Sequence, residues 1–417
     1  MQDILFLSHR IPYPPNKGDK IRSYHLLKHL SERYRVHLGT FVDDPDDWQH
    51  VDRVKALCGE THFARLAPRT ARLRSLGALA AQRPLTLDYY RNAGLRAWVA
   101  RVLHELPVKR ILVFSSAMAQ FAARAEQTRR IVDFVDIDSD KWLQYAEKKP
   151  WPMNWLYRRE GRLLLRYERQ VAQDFDASLF VSQAESDLFK RLAPESAARI
   201  GYFNNGVDTE YFSPAHSHPD PYPKDEAHLV FTGAMDYWPN VDAVQWFARE
   251  VLPAVLAQFP AARFSIVGAR PTAAVRALAA LHGVQVTGAV PDVRPYLAHA
   301  RLAVAPLRIA RGIQNKVLEA MAMAKPVVAS AQALEGIAAG IGTEVVLARD
   351  SAEFIGAVLT LLQQPRDTMG EAARTRVLAD YTWERNLAVV DELLDADPRR
   401  AAAAPPAATL ATTGETA

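Results

Sequence analysis

Residues 308–330 read RIARGIQNKVLEAMAMAKPVVAS. Arg308, Arg311 and Lys316 bring positive charge, and Gly312, Gln314 and Asn315 bring small or amide groups. The single acid, Glu319, follows Lys316 by three residues, so a helix would put both on one face. Val317, Leu318 and Met321 have that helical spacing. KPVVAS (325–330), a β-branched run entered through a proline, reads as the following strand. A basic, small-residue loop at a helix N-terminus suits an anion, because unsatisfied N–H groups and the positive end of the macrodipole point there. Lys316 and Glu319 also fit an ordinary surface ion pair.

Three further stretches carry residues fit for chemistry. In VDFVDIDSDKW (132–142), Asp136 and Asp138 could take a proton from a hydroxyl, or could simply close a strand and cap the next helix. The Asp-x-Asp spacing also resembles a metal-holding triplet, but such triplets arise often by chance. In PPNKGDK (14–20), Lys17 and Gly18 precede a helix start, where Asp19 can serve as a cap. In TGAMDYWPN (232–240), Gly233 permits close backbone approach, and Asn240 lies seven residues on. Pro239 alternatively marks a plain strand-to-helix turn.

Chemistry of this kind needs elements to hold it. With 417 residues the chain exceeds one ordinary core, so two domains are expected. A hydrophobic fraction of 49%, a charged fraction of 24% and a net charge of +4 describe a soluble globular protein with at most a weak preference for anions. Cys58 is the only cysteine, which rules out an internal disulfide and fits a reducing compartment. The opening MQDILFLSHR reads as a buried first strand, neither signal peptide nor membrane span. No repeat of solenoid length is visible.

Strand-like runs at 3–8, 35–42, 110–116, 130–138 and 177–182 alternate with helical patterns, including 19–33. The alternation restarts at 227–235, 262–269, 284–290, 301–306 and 325–330. Such alternation predicts open, mostly parallel sheets covered on both faces. SPAHSHPDPYPKDE (213–226) is rich in proline and polar residues and reads as the connection between the halves. The expected domains are 1–205, a linker 206–226 and 227–382, with a helix about 383–396 that can return to the first domain. The tail 397–417 has almost nothing to bury, and disorder is expected there.

FNNGVDTEYFSP (203–214), LFVSQAESDLF (179–189), VFTGAMDYWPNVDAVQWF (230–247) and NKVLEAMAMAKPVVAS, taken in order, resemble family 4 retaining glycosyltransferases of the GT-B fold. PYPPNKGDKIRSYH and GIQNKVLEAMA are most similar to sugar transferases associated with exosortase-type exopolysaccharide clusters in bacteria. The resemblance implies an α/β protein with two doubly wound Rossmann-like domains facing a central cleft. It implies transfer of a sugar from a nucleotide-diphosphate donor, bound by the C-terminal domain, to a glycan or lipid-linked acceptor on the N-terminal one, with retention and without a required metal or other cofactor. It also implies that Glu319 accepts from the donor ribose, that Gly18 and the 308–316 loop hold the diphosphate, and that the base rests near Val290.

The sequence departs from that family in four places. The usual second glutamate, eight positions before Glu319, is Arg311, which can grip phosphate but cannot accept from a hydroxyl. Gly233 is followed by no arginine or lysine, so the 308–316 cluster is expected to take that load. Only one glycine, Gly18, stands where relatives often have two. The histidine that many relatives place at the end of the strand expected over 130–138 is replaced by Val135 beside Asp136.

KWLQYAEKKPWPMNWLYRREGRLLLRYERQ (141–170) mixes aromatic and basic residues. It fits an anionic membrane surface or a helix packing its Leu and Trp face inward. A nucleic-acid role has no module signature behind it. The expected location is cytoplasmic, or peripheral on the inner face of the plasma membrane. An epimerase of the same fold and a non-catalytic sugar-nucleotide-binding partner stay open beside the transferase.

Overall fold

The computed structural model describes residues 1–15, 18–123, 125, 127–147, 149–310, 312–364 and 367–396. The chain divides into two compact units. The first comprises Met1–Phe203 with the chain from Leu387 onward, and the second comprises Asn204–Asn386.

The first unit is built on seven strands: β1 (Gln2–Ser8), β2 (Tyr34–Val42), β3 (Thr61–Arg65), β4 (Arg110–Phe114), β5 (Arg129–Val135), β6 (Ala177–Phe180) and β7 (Ile200–Tyr202). They lie in the order β3-β2-β1-β4-β5-β6-β7, and every pairing is parallel. Ile4, Leu5, Phe6 and Leu7 are all fully buried, as a continuous apolar run must be when helices cover both faces. The second unit holds β8 (Ala227–Thr232), β9 (Ala262–Val267), β10 (Val284–Gly288), β11 (Leu302–Ala305), β12 (Val327–Ala329) and β13 (Val346–Leu347). Their order is β10-β9-β8-β11-β12-β13, again parallel throughout.

Both orders reverse direction once, between β1 and β4 and between β8 and β11. At such a switch the two flanking connections leave toward opposite faces, and a crevice opens beyond the strand C-termini. Each unit therefore has one crevice set by topology.

The helices used below are α1 (Gly18–Arg33), α2 (Pro68–Ser75), α3 (Leu85–Tyr89), α4 (Asp138–Glu147), α5 (Met153–Asp174), α6 (Trp238–Trp246), α7 (Asn315–Ala322) and α8 (Trp383–Asp395). Helix α1 is tied to the first sheet by Arg22, which is wholly buried. Its Nε donates to Asp133 Oδ2 at 2.7 Å, Nη1 donates to the Phe203 carbonyl at 3.0 Å, and the guanidinium lies 3.5 Å from the Phe203 ring centroid. Burial pushes the Asp133 carboxyl upward, and the facing guanidinium opposes that push.

Several boundaries differ from those expected of the sequence. The strand expected over 130–138 ends at Val135, whose φ is +69°, and α4 already begins at Asp138. The segment 206–226 belongs to the second unit: Val207 bridges to Thr382, and Tyr222 stacks on His228 with centroids 3.7 Å apart. The short outer strands β3, β7 and β13 lack a strong apolar run and are recognisable only by their pairing. The tail 397–417 lies outside the described residues.

Candidate functional site

In the second unit, the candidate residues gather around the end of β8 and the start of α7. Gly233 leaves β8 with its N–H donating to the Val267 carbonyl at 3.0 Å. A Cβ there would stand 2.7 Å from Asn240 Nδ2 and 3.5 Å from Lys316 Cε, and one on Gly268 would stand 1.7 Å from the Gly233 oxygen. Gly268 is thus required by the close approach of the Gly233 backbone, and the missing Cβ at Gly233 leaves room for Asn240 of α6 and Lys316 of α7 at one spot. Asn240 is buried and donates to the Ala234 carbonyl at 2.9 Å.

Gln314 sits at the N-cap of α7, where its side chain makes no cap bond to the first-turn N–H groups. It donates instead to the Gly312 carbonyl at 3.0 Å, within a loop that Gly312 turns at φ +62°. The Val317 N–H donates to the Gln314 carbonyl at 2.9 Å, and the Asn315 and Lys316 N–H groups keep their capacity for an anion. Lys316 Nζ lies 3.3 Å from Gln314 Oε1. Two buried acceptor oxygens, Asn240 Oδ1 and Asn315 Oδ1, meet no donor, a state that polar groups in folded proteins normally avoid.

Glu319 is partly buried, and no described residue donates a hydrogen bond to its carboxylate. Burial raises its pKa to about 7 against the pull of Lys316. Burial likewise lowers Lys316 to about 8 against the pull of Glu319. A carboxylate with open lone pairs, a cation and free helix-end amides together suit a ligand carrying both hydroxyls and an anionic group.

The other residues picked from the sequence are less direct. Arg308 already makes a two-point pair with Asp242, its Nε standing 2.9 Å from Oδ2. Val290 packs, partly buried, against the core beyond β10. Arg311 and Lys17 lie outside the described residues. Gly18 opens α1 in the first unit with no atom within 4 Å of where a Cβ would be, so space is available there but glycine is not required. A cation near the Gly233 turn was not expected, yet Arg270, just beyond β9, pairs with Asp236 at 3.0 Å. Its position after a strand end was the available signal, but neighbourhood to β8 follows only from strand order.

The first unit contains a cavity of about 530 Å³ at its own switch point. Strand ends supply His9, Phe114, Ser115 and Val135. Helices α2, α3, α4 and α5 supply aromatic and charged walls, including Tyr89, Trp142 and Tyr157. Asp136 and Asp138 both line it. Lys141 Nζ stands 2.7 Å from Asp136 and 3.6 Å from Asp138, and Ser116 Oγ donates to Asp138 at 3.3 Å. Burial works to lower the Lys141 pKa, but the two carboxylates hold it above its ordinary value. Val135 and Ser115, at φ +69° and +80°, both turn the chain at this wall. A β-branched residue in that region costs about 1–3 kcal/mol and persists only where surrounding structure enforces it.

His9 was not singled out from the sequence. It follows β1 directly, stacks on Phe114 at 5.7 Å between centroids, and places Nε2 3.4 Å from Asp19. Burial pushes the Asp19 carboxyl up, but His9 and the Arg10 cation outweigh it and hold that acid well below the usual carboxylate range. His9, from a different strand, thus lines the same cavity as Val135. Deeper in, Glu168 of α5 is fully buried and accepts from Ser139 N at 3.2 Å. Burial, with the Asp138 charge, raises it to about 8. Among the described residues no cluster of His, Cys, Asp and Glu could hold a metal ion, and no helix is long and apolar enough to cross a membrane.

Residues 226–364, the bulk of the second unit, match the family described as glycosyl transferases group 1. No curated protein matches the sequence significantly. Among solved structures, sucrose-phosphate synthase from Thermosynechococcus elongatus is similar with a TM-score of 0.66 at 18% identity, covering 94% of this chain and 98% of that one. HepE of Anabaena, solved with UDP, is similar at 0.62 and 18% identity, covering 94% and 99%. WaaG, a glycosyltransferase involved in lipopolysaccharide biosynthesis, is similar at 0.64 and 15% identity, covering 94% and 100%. Likeness at such low identity carries the fold alone: two parallel α/β domains of the GT-B type.

Proposed function

We propose that this protein is a glycosyltransferase that moves a sugar from a nucleotide-diphosphate donor to a glycan or lipid-linked acceptor, with retention, in the building of a bacterial exopolysaccharide. The observation that carries the reading is the Lys316–Glu319 pair at the N-terminus of α7, inside the segment that matches the group 1 glycosyltransferases. HepE, of like fold, has been solved with UDP and with UDP-glucose, which supports a donor of that class.

In this reading the diphosphate takes the first-turn amides and Lys316, and the ribose hydroxyls donate to Glu319. Charge growing on the departing phosphate meets donors already in place, so little reorganisation is needed as the glycosidic bond breaks. Asn240 Oδ1 and Asn315 Oδ1 are further acceptors for ligand hydroxyls. The acceptor occupies the cavity of the first unit, where aromatic walls cover sugar faces and Asp136, Asp138 and His9 meet hydroxyls. The departing phosphate can take the acceptor proton, and the residues above require no metal.

The test is thermal stabilisation by a panel of UDP-, GDP-, ADP- and dTDP-sugars. A donor at a hundred times its dissociation constant should stabilise the protein by about 2.7 kcal/mol. Glu319→Ala should lose most of that shift. Failure of every donor on folded protein would sink the proposal. One observation favours a binding-only protein: Asp136 and Asp138 both face Lys141, which competes for their lone pairs. That reading predicts a donor shift without turnover of any acceptor.

A further inference from the structure

Two exposed stripes flank the cavity of the first unit. Helix α2 presents Arg69, Arg72, Leu73 and Leu76 at helical spacing, the last just beyond its end, with Leu73 70% and Leu76 50% exposed. The corner from α4 to α5 presents Tyr145, Trp151, Met153 and Trp155, with Trp151 80% and Trp155 54% exposed. Along α5, Arg158, Arg162 and Arg166 continue the Trp155 stripe at intervals of three and four.

The two stripes belong to one layer. Arg159 donates to the Ala78 carbonyl at 2.9 Å, and Glu160 accepts from Leu85 N, Thr86 N and Thr86 Oγ at 2.7–2.9 Å. Arg72 of α2 and Leu156 of α5 then meet at the same cavity.

Exposed tryptophans and leucines are costly in water, and single ones need no explanation, but six large apolar side chains on one layer do. Their setting is basic. Between 68 and 83 the sequence has Arg69, Arg72, Arg74 and Arg83 and no acid. Along the exposed α4–α5 corner the only acid is Glu147, since Glu160 is buried in the bonds just described. Arg83 pairs with Asp88 at 2.8 Å, while Arg69, Arg72, Arg158, Arg162 and Arg166 meet no carboxylate among the described residues. Rings that tolerate both apolar and polar surroundings, beside such cations, match an anionic lipid headgroup region. A protein partner of ordinary composition would call for a mixed-charge rim.

We propose that this face of the first unit, α2 with the α4–α5 corner, docks onto an anionic lipid bilayer. Trp151, Trp155, Leu73 and Leu76 enter the headgroup region and the arginines neutralise lipid charge. The cavity then opens beside the lipid surface, where an acceptor with a lipid tail and a polar head is presented. That last step rests on the transferase reading; the docking itself does not.

The experiment is co-sedimentation of the full-length protein with vesicles. Phosphatidylcholine alone is compared with phosphatidylcholine containing about a third phosphatidylglycerol, at about 0.1 M and about 0.5 M salt. Binding should be strong only to the anionic vesicles and should weaken at high salt. Trp151→Ala/Trp155→Ala should lower the vesicle partition coefficient roughly tenfold. Arg158→Glu/Arg162→Glu should lower it and flatten its salt dependence. Trp151→Ala alone, at the most exposed of these positions, serves if the double variant loses its fold by circular dichroism.

Absence of vesicle binding would overturn the proposal, as would equal binding to neutral lipid or wild-type binding by the folded variants. Self-association of wild type that the same variants abolish would also overturn it, by assigning the face to a second copy of the chain. Donor-induced stabilisation, read on the same samples, separates the two ideas. Its loss with vesicle binding intact would count against the transferase and leave the docking face in place.

Discussion

In the proposed donor site, Glu319 and Lys316 set opposite limits on binding. The ribose hydroxyls need an ionised carboxylate, which exists above about 7, and the diphosphate needs an ammonium, which persists below about 8. Below the Glu319 value, binding must first remove a proton, so affinity should fall by about tenfold per pH unit. Above the Lys316 value it must first add one, and affinity falls again. Titration calorimetry with a bound donor from pH 5.5-like to 9.5-like conditions should therefore give a maximum between the two values. Glu319→Gln should weaken binding and flatten the acid limb; an acid limb unchanged in that variant would assign it to another group. His9 makes a separable prediction. His9→Ala should lower transfer by roughly a hundredfold while donor stabilisation stays as in wild type, because general acid–base or orienting groups act on the acceptor side only. Of these residues, Lys316 and Glu319 were legible from spacing, since three residues on a helix is a local relation. His9 was not, because its relation to Asp136 passes through strands that are distant in sequence.

The walls of the first unit's cavity depend on a few buried polar ties between elements. Glu160 of α5 satisfies two backbone N–H groups and one hydroxyl at the start of α3. Glu160→Ala would leave those partly buried donors without partners, so the protein should lose about 3 kcal/mol of stability. Denaturant unfolding followed by a first-unit signal would measure it, and a loss below a few tenths of a kcal/mol would mean that water replaces the carboxylate. The helical periods of α1, α5 and α7 were readable because each buries one stripe. The end of β5 was not. A strand and a sharp turn share the same β-branched residues, and only the fold's demand at Val135 sets its positive φ.

At the scale of the whole molecule, the chain re-enters the first unit inside α8, at Leu387. From there Leu387, Val390 and Leu394 are buried. The Leu394 and Leu393 carbonyls accept from Arg110 at 2.9 Å and Arg129 at 2.6 Å, and Asp391 lies 3.0 Å from His29. Truncation after Asn386 removes three large apolar side chains from that unit, about 6 kcal/mol of burial at roughly 2 kcal/mol each. The thermal midpoint of the first unit should drop sharply, while donor stabilisation of the second unit survives. Retention of the full midpoint would show that the returning helix contributes little.

By itself the sequence determined two rounds of strand and helix, the amphipathic faces of the long helices and the loop-to-helix start that sets Lys316 and Glu319 on one face of α7. Each is a relation among residues a few positions apart, where periodicity, caps and turn chemistry act directly. Tertiary structure alone decided strand order, the two switch points and the meeting of His9 with Asp136, Asp138 and Lys141 on one cavity. It also decided that residues 206–226 pack on the second unit and that Arg308 is engaged by Asp242. Those depend on contacts between residues separated by tens to hundreds of positions. Packing and burial choose among such contacts, and no local pattern records the choice.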